Sequence, residues 1–112
     1  MNSDGSARRA FCYLADAVIG FFMVLLQGQV GEAYNIAGDK EISILELAET
    51  LIGFFPEKKL AIHYQVNQDP CYIKTNISHY APDTGKIKNL GWQPKYSMHE
   101  GFKRMINSYL YE

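Results

Sequence analysis

Ten consecutive residues, Ala17 to Leu26, contain no charged or strongly polar side chain. The larger apolar residues among them fall on every side of a helix and leave no polar stripe: Val18, Ile19, Phe21, Phe22, Met23, Val24, Leu25 and Leu26. A helix that is apolar all round is normally buried all round. A chain of 112 residues buries only about two-thirds of its unfolded surface, so little of it is left to cover such a helix. The segment therefore predicts that a neighbouring part of the fold, which would cover this helix, is missing from the chain.

The same apolar run has the wrong features for a secretory signal or a membrane span. Arg8 and Arg9 precede it, but Asp16 interrupts the pattern, no Ala-x-Ala cleavage site follows, and the run is too short to cross a bilayer. Cys12 and Cys71 are too few and too far apart for a disulfide framework or a zinc site. We expect a reduced, cytoplasmic setting, with no membrane partner and no bound metal.

The overall composition is that of an ordinary folded protein, with 47% apolar and 21% charged residues. The chain is long enough for one domain at most, and residues 1–112 are interpreted as a single domain. The formal net charge is -1, with both signs mixed along the chain. Nucleic-acid binding usually needs a basic face, so nucleic acid is not expected as a partner.

The N-terminal half is predicted to alternate short strands and helices. Residues 6–14 have an extended pattern, and Asp16 can cap a helix from Ala17 to Gly28. Glu32 to Ala37 is predicted to be a short strand. Ser43 with Glu46 three residues later forms a capping box, and the helix that it opens should end near Phe54, before Pro56.

The C-terminal half is predicted to contain one strand, a long loop and two helices. Leu60 to Val66 alternates apolar and polar residues, as a half-buried strand does. A loop of about a dozen residues follows from Asp69 to Tyr80, longer than most connections. Asp83 can cap a short helix that stops at Gly91, and Ser97 with Glu100 forms a second capping box. The predicted fold class is mixed α/β, with three to four helices and a few short strands.

Several short motifs occur in an order that is hard to obtain by chance. They are the segments Arg9 to Asp16, Tyr34 to Gly38, Ile42 to Ala48, Pro82 to Ile87, Leu90 to Pro94 and Met98 to Phe102. Together they cover nearly the whole chain. In this order the chain resembles the C-terminal, substrate-binding part of the NAD-dependent epimerase/dehydratase family, the extended short-chain dehydrogenases that modify sugar nucleotides. Within this family, the pattern is similar to that of dTDP-glucose 4,6-dehydratases and UDP-glucuronate decarboxylases.

Two features that the family needs for chemistry are absent from the sequence. A glycine-rich G-x-x-G-x-x-G turn holds the pyrophosphate of NAD; here Gly28 and Gly31 have the first spacing, but Tyr34 stands where the third glycine should be. A Tyr-x-x-x-Lys pair supplies the base, and none of the eight tyrosines has a lysine four residues on. The resemblance implies that both lie upstream, so the chain is interpreted as a truncated or isolated domain that binds no cofactor itself, with NAD bound by the full-length parent.

The resemblance also implies three residues that bind the substrate. Arg9 matches the arginine that contacts the nucleotide diphosphate, and a guanidinium offers a fork of donors suited to it. Asn35 matches an asparagine beside that arginine, although a turn residue that holds backbone groups is an equally good reading. The loop Asp69 to Tyr80 should bring a second cation, but it contains no arginine, so Lys74 or His79 would have to substitute.

Three further residues are interpreted as structural rather than functional. Arg8 has no motif support and is interpreted as surface charge. Asp16 is explained by capping alone, and Trp92 by packing.

The predicted function is the nucleotide-sugar-binding part of an NAD-dependent epimerase, dehydratase or decarboxylase, not catalytic by itself. Its ligand would be a UDP-, dTDP- or CDP-linked sugar. The alternative is a free-standing α+β interaction module that docks through its apolar first helix. Because that helix leaves an apolar surface uncovered, the chain is also expected to form homo-oligomers, a dimer in the simplest case.

Overall fold

The structure is a computed structural model, and it describes residues 1, 3–65, 69–71 and 79–111. Four α-helices and three short strands occur within these residues, in the order β1 (Arg8–Ala10), α1 (Leu14–Gln27), β2 (Glu41–Ser43), α2 (Ile44–Gly53), β3 (His79–Tyr80), α3 (Gly85–Lys88) and α4 (Met98–Leu110), with a 3-10 turn at Pro56–Lys58. The predicted mixed α/β class, with three to four helices and a few short strands, is confirmed.

The contacts divide the chain into two compact units. The first unit comprises Met1–Arg9 and Glu41–Tyr80, and the second comprises Ala10–Lys40 and Ala81–Glu112. Each unit therefore combines an N-terminal segment with a segment that lies much later in the chain.

The first unit is built on the three-stranded sheet, whose order is β2-β1-β3. The central strand β1 pairs in parallel with β3, in a register that sets Arg8 opposite His79 and Arg9 opposite Tyr80. Backbone bonds from the start of α2 continue the contact with the N-terminal segment: Ile44 N–H donates to Ala7 at 2.9 Å. The earliest residues of the chain thus form the middle of this unit.

Helix α2 begins with the predicted capping box. The Ser43 hydroxyl accepts a hydrogen bond from the Glu46 N–H at 3.0 Å, and the Glu46 carboxylate accepts one from the Ser43 N–H at 2.6 Å. This arrangement satisfies two backbone donors that a helix start leaves free. The helix ends at Gly53, so the predicted start and end are both confirmed.

The second unit is built around α1 and a small core. Trp92 and Ile87 are fully buried there, and Ala37 is nearly so. Gly20 lets α1 approach this core closely, because a Cβ at that position would lie 3.0 Å from the Ile36 side chain and 3.1 Å from the Trp92 indole nitrogen. Trp92 is therefore a packing residue, as predicted.

Helix α1 starts three residues earlier than predicted, at Leu14 rather than Ala17. Asp16 consequently lies inside the first turn and does not cap the helix; the N-cap is Tyr13, without a side-chain cap bond. The carboxylate of Asp16 is buried and accepts hydrogen bonds from the N–H groups of Lys95 and Tyr96, both at 3.0 Å. The capping interpretation of Asp16 was wrong because its partners are distant in sequence.

Two predicted strands are not formed. Glu32 to Ala37 has no strand, and neither do residues 60–65; Val66 lies outside the described residues. In the second case, Met1 is a backbone partner: its ammonium donates to the His63 carbonyl oxygen at 2.8 Å, and its own carbonyl accepts from the Gln65 N–H at 2.7 Å. Alternation can make a segment suited to a sheet, but a strand also needs a neighbouring strand.

Helix α4 has its predicted start, whereas α3 is shorter than predicted: its N-cap is Thr84 rather than Asp83, without a side-chain cap bond, and it ends at Lys88. The Asp83 carboxylate accepts from the Gly85 N–H at 2.8 Å at the start of α3, and Gly91 ends that region with a φ of +97°, a conformation that favours glycine. The Ser97 hydroxyl accepts from the Glu100 N–H at 3.2 Å at the start of α4. The carboxylate of Glu100 instead pairs with Arg104 at 3.0 Å.

Within the described part of the chain, no helix combines the length and the apolar character needed to cross a membrane.

Candidate functional site

The central strand β1 carries two adjacent arginines with different surroundings. Successive side chains of a strand point to opposite faces, so Arg8 and Arg9 emerge on opposite faces of the sheet. Arg8 and Arg9 are both partly buried. Both arginines make hydrogen bonds within the fold, but to different groups.

Arg8 is held by acidic and backbone groups of the neighbouring elements. Its Nε donates to the Glu41 carboxylate at 3.0 Å, its Nη2 donates to the Glu41 carbonyl at 2.9 Å, and its Nη1 lies 3.4 Å from the Glu46 carboxylate. Arg8 therefore links β1 to β2 and to the first turn of α2. Arg8 is a charge at the surface, as predicted, with its side chain 43% exposed, and it also joins three elements.

Glu46 serves both the helix cap and this ion pair. The hydrogen bond from the Ser43 N–H holds the pKa of the Glu46 carboxyl below its usual value, and the Arg8 guanidinium acts in the same direction. A carboxylate in the first turn of a helix is also favoured by the helix dipole. The charge of Glu46 is thus part of the structure of the first unit.

Arg9 keeps its guanidinium beside its own strand. Its Nη1 donates to the Arg8 carbonyl oxygen at 2.7 Å, and the residue has at least one further interaction. The predicted diphosphate ligand thus lies on the middle strand of the sheet, one residue from an arginine that the fold already uses.

The second predicted cation, His79, begins β3. Because β3 pairs in parallel with β1, the backbone of His79 lies opposite Arg8 and directly precedes the partner of Arg9. The structure thus brings two of the three predicted site residues, Arg9 and His79, onto neighbouring strands of one sheet. Lys74, the other cation considered for this loop, lies outside the described residues.

Asn35 belongs to the second unit and is exposed. Its amide Nδ2 donates to the Asp83 carbonyl oxygen at 3.0 Å. On either side of it, the segment is joined to α3 by ion pairs of 2.6 Å between Glu32 and Lys86 and 2.5 Å between Asp39 and Lys88. The contact agrees with the structural reading of Asn35, which holds a backbone group. Its role in binding stays a prediction.

The second unit also contains an apolar groove of about 510 Å³. It lies between the segment that leads into α1 and helix α4, and its lining includes Cys12, Met98 and Phe102. Burial raises the pKa of the Cys12 thiol, and the nearby Asp16 carboxylate raises it further. A thiol with a raised pKa carries little thiolate at neutral pH, so Cys12 is not suited to act as a nucleophile. The groove contains neither Arg9 nor Asn35.

The glycines after α1 do not fit a pyrophosphate-binding turn. Gly28 ends that helix, and Gly31 lies in a turn with a φ of +81°. Such a site needs the free N–H groups of a helix that begins directly behind the glycines, and residues 28–43 begin none. NAD is therefore not assigned to these residues. Nor do the described residues contain a group of histidine, cysteine or acidic side chains that could hold a metal ion.

One residue of the second unit with a central place in the fold was missed from the sequence. Asp16 joins α1 to the segment that follows Trp92, through contacts 79 and 80 residues away in the chain. The only signal available was that Leu14 and Ala15 are good helix formers, which places Asp16 inside a helix rather than at its cap.

Comparison with known proteins gives a consistent match. The family model for GDP-mannose 4,6 dehydratase matches residues 2–105. The dTDP-D-glucose 4,6-dehydratase of Mus musculus is 35% identical over 112 residues, which covers 97% of this chain and 31% of the mouse protein.

Solved structures agree in fold. The dTDP-glucose 4,6-dehydratase of Bacillus anthracis, solved in complex with NAD, has a TM-score of 0.81 and 30% identity over 96% of this chain and 33% of that one. The UDP-glucose 4-epimerase of Thermotoga maritima, solved with UDP-glucose, also has a TM-score of 0.81, and at 23% identity over 98% of this chain and 34% of that one it supports the fold alone.

The chain thus spans about a third of the length of the relatives that it matches. The match runs through nearly all of its residues, and it includes every motif on which the resemblance was based. The chain belongs to the GDP-mannose 4,6 dehydratase family of NAD-dependent sugar-nucleotide epimerases and dehydratases, and it corresponds to the C-terminal part of that family.

Proposed function

We propose that this chain binds the nucleotide diphosphate of a sugar nucleotide on behalf of an NAD-dependent dehydratase or epimerase. The observation that carries the proposal is the match to two dTDP-glucose 4,6-dehydratases over nearly the whole chain. The names of these relatives give the ligand class, a sugar linked to a nucleoside diphosphate. UDP- and CDP-linked sugars belong to the same class.

Arg9 is the main diphosphate ligand in this proposal. It has the motif position, and its neighbour Arg8 is engaged by Glu41 and Glu46. A guanidinium can form two parallel charge-assisted hydrogen bonds to phosphate oxygens, which are stronger than bonds between neutral groups. Arg9 must give up its bond to the Arg8 carbonyl to do so, and this exchange lowers the net gain.

His79 and Asn35 are secondary ligands. His79 is near Arg9 through the strand pairing, and a protonated histidine would add a second positive charge. Asn35 can donate through its amide in exchange for its bond to Asp83. Neither has the charge and geometry of Arg9, so each should contribute less.

In this proposal, the catalytic step takes place in another part of the family fold. The sequence contains no Tyr-x-x-x-Lys pair, and its glycines do not form a pyrophosphate turn. The proposal therefore gives this chain a role in holding and orienting the substrate, with hydride transfer to NAD performed by residues that it does not contain.

The test is a calorimetric titration of the chain with dTDP-glucose and UDP-glucose. The proposal expects weak but saturable binding that Arg9→Ala weakens by about 10- to 100-fold, the equivalent of 1.5–3 kcal/mol for a hydrogen bond to a charged group. Arg9→Lys keeps the positive charge but removes the forked guanidinium. Its affinity should lie between that of the native chain and that of Arg9→Ala.

Lys103→Ala is the matched control, because it removes one positive charge from an exposed position of α4. It should bind as the native chain does. Free glucose should not bind at all. Equal affinities for the native chain and Arg9→Ala would rule out the assignment of Arg9.

A further inference from the structure

Strand β1 is held in the first unit by side-chain bonds as well as by the sheet. β1 and β2 have three residues each, and β3 has two, whereas strands of globular proteins usually have about five or six. So short a sheet forms few backbone hydrogen bonds along β1. Side-chain contacts of β1 therefore carry a larger share of what fixes this strand.

Arg8 supplies such contacts by joining two carboxylates and a main-chain carbonyl. Its Nε donates to the Glu41 carboxylate at 3.0 Å, its Nη2 donates to the Glu41 carbonyl oxygen at 2.9 Å, and its Nη1 lies 3.4 Å from the Glu46 carboxylate. We name this group, Arg8 with Glu41 and Glu46, the Arg8 clamp. The Glu41 side chain is only 13% exposed, so its bond to Arg8 is largely protected from water. Because a guanidinium is a rigid plane, three contacts on it fix its orientation.

The backbone of Arg8 is also the point at which Arg9 is held. The Arg8 carbonyl oxygen accepts a hydrogen bond from Nη1 of Arg9 at 2.7 Å. The two side chains leave β1 on opposite faces of the sheet, and the peptide group that follows Arg8 connects them. A change in the Arg8 clamp therefore reaches the Arg9 guanidinium through this peptide group.

We infer that Arg8 is a positioning residue for Arg9. The Arg8 clamp fixes the peptide group to which the Arg9 guanidinium is bonded, so Arg9 meets the diphosphate from a defined position. A side chain that is already ordered loses less conformational entropy when it binds a ligand. The inference rests on the proposed function for the identity of that ligand, and the motif that identifies Arg9 does not include Arg8.

Charge is a second route by which Arg8 could affect an anionic ligand. The Arg8 clamp contains one cation and two carboxylates, a net charge of -1. Removal of Arg8 alone would leave both carboxylates and make the local charge more negative, which weakens the binding of a diphosphate by itself. The double variant Arg8→Met/Glu41→Gln removes one charge of each sign. It opens the clamp and keeps the net charge, so it isolates the positioning effect.

The first measurement follows the Arg9 side chain by NMR in the chain without ligand. In Arg8→Met/Glu41→Gln, the Nε–H signal of Arg9 should move towards that of a solvated arginine and exchange with water at least about threefold faster, as expected for a group that opens locally. Glu57→Gln/Lys58→Met is the matched control, since it removes one charge of each sign from exposed residues of the 3-10 turn. It should leave the Arg9 signal in place.

The second measurement is the affinity of the same variants for dTDP-glucose. Arg8→Met/Glu41→Gln should bind about 3- to 10-fold more weakly than the native chain, within the range for residues that act through a neighbour. The control should bind as the native chain does. Arg8→Lys keeps the charge but cannot make all three contacts, so it should show smaller effects in the same direction. Circular dichroism checks the folding of each variant, and Arg8→Lys is the variant of choice if the double variant unfolds.

Two outcomes would overturn the inference. One is an Arg9 signal that neither moves nor exchanges faster in the folded clamp variants. The other is native affinity in those variants while Arg9→Ala binds more weakly. If the native chain does not bind dTDP-glucose at all, the proposed function fails, and the Arg9 signal still decides whether Arg8 positions Arg9.

Discussion

The indole of Trp92 donates a hydrogen bond to the main-chain carbonyl oxygen of Asp16 at 2.9 Å, and each residue is only 1% exposed. The Asp16 carboxylate at the same time accepts from the backbone N–H groups of Lys95 and Tyr96. The ring of Tyr96 packs edge-on against the ring of Tyr13, the residue before α1, with 5.0 Å between the ring centroids. One residue in the first turn of α1 thus organises the segment that leads into α4.

Removal of the Asp16 carboxylate should destabilise the second unit. Asp16→Ala removes the acceptor of the part-buried N–H groups of Lys95 and Tyr96, and a hydrogen bond to a charged group contributes about 1.5–3 kcal/mol. Urea unfolding should show this loss as a lower midpoint. Asp39→Ala is the control, because it removes an exposed ion pair with Lys88 worth at most about 1 kcal/mol. Equal losses for the two variants would contradict the role assigned to Asp16.

Two glycines should respond in opposite ways to alanine. A Cβ at Gly38 would collide with the carbonyl oxygen of Phe11, so Gly38→Ala forces the backbone apart and should cost about 1–3 kcal/mol. A Cβ at Gly53, the last residue of α2, meets nothing within 4 Å. Gly53→Ala should stabilise by up to about 1 kcal/mol, because alanine loses less entropy in a helix. Thermal unfolding of both variants tests the pair, and a stabilised Gly38→Ala variant would refute the close contact.

Acid should weaken the first unit through Glu46. Its pKa is lower in the folded protein, chiefly through the hydrogen bond from the Ser43 N–H, so its contribution to stability is complete above the usual carboxyl pKa of about 4.3. The contribution is lost as the pH falls through the lower, folded value. Melting temperatures between pH 7 and pH 3 should therefore fall less steeply for Glu46→Gln than for the native chain. Glu49→Gln, on the same helix, should keep the native slope; identical slopes for all three would contradict the prediction.

The chain alone should neither turn over sugar nucleotides nor bind NAD. The expectation follows from the missing Tyr-x-x-x-Lys pair and from glycines that end α1 instead of preceding a helix. Calorimetry with NAD should give no saturable heat at micromolar protein concentration. A measurable dissociation constant would show that another surface of the chain binds the cofactor.

Local signals in the sequence predicted local structure well. The capping box of Ser43 and Glu46 involves residues three apart, and the structure forms both of its hydrogen bonds. Helix α2 has the predicted start for this reason, and it ends before Pro56, as predicted. The left-handed conformation of Gly91 was likewise predictable, since few other residues adopt it at low cost.

Features that depend on distant partners were not predictable in the same way. Asp16 has the residue type of an N-cap, but its carboxylate accepts hydrogen bonds from backbone N–H groups that lie 79 and 80 residues away in the sequence. Glu32 to Ala37 has a strand sequence and yet no strand, because a strand exists only with a neighbour.

The candidate site follows the same division. The motif identified Arg9. Its proximity to His79 depends on the parallel pairing of β1 with β3, two strands that are neighbours in the sheet but far apart in the sequence.

The central claim is that Arg9 and its surroundings bind the diphosphate of a sugar nucleotide. The most direct measurement is a titration of backbone amide shifts with dTDP-glucose, for the native chain and for Arg9→Ala. The account predicts shifts that cluster at residues 8–10 and 79–80, with a weaker group near Asn35, and their loss in the variant. Shifts that cluster elsewhere, or that persist unchanged in Arg9→Ala, would contradict it even though the family assignment would stand.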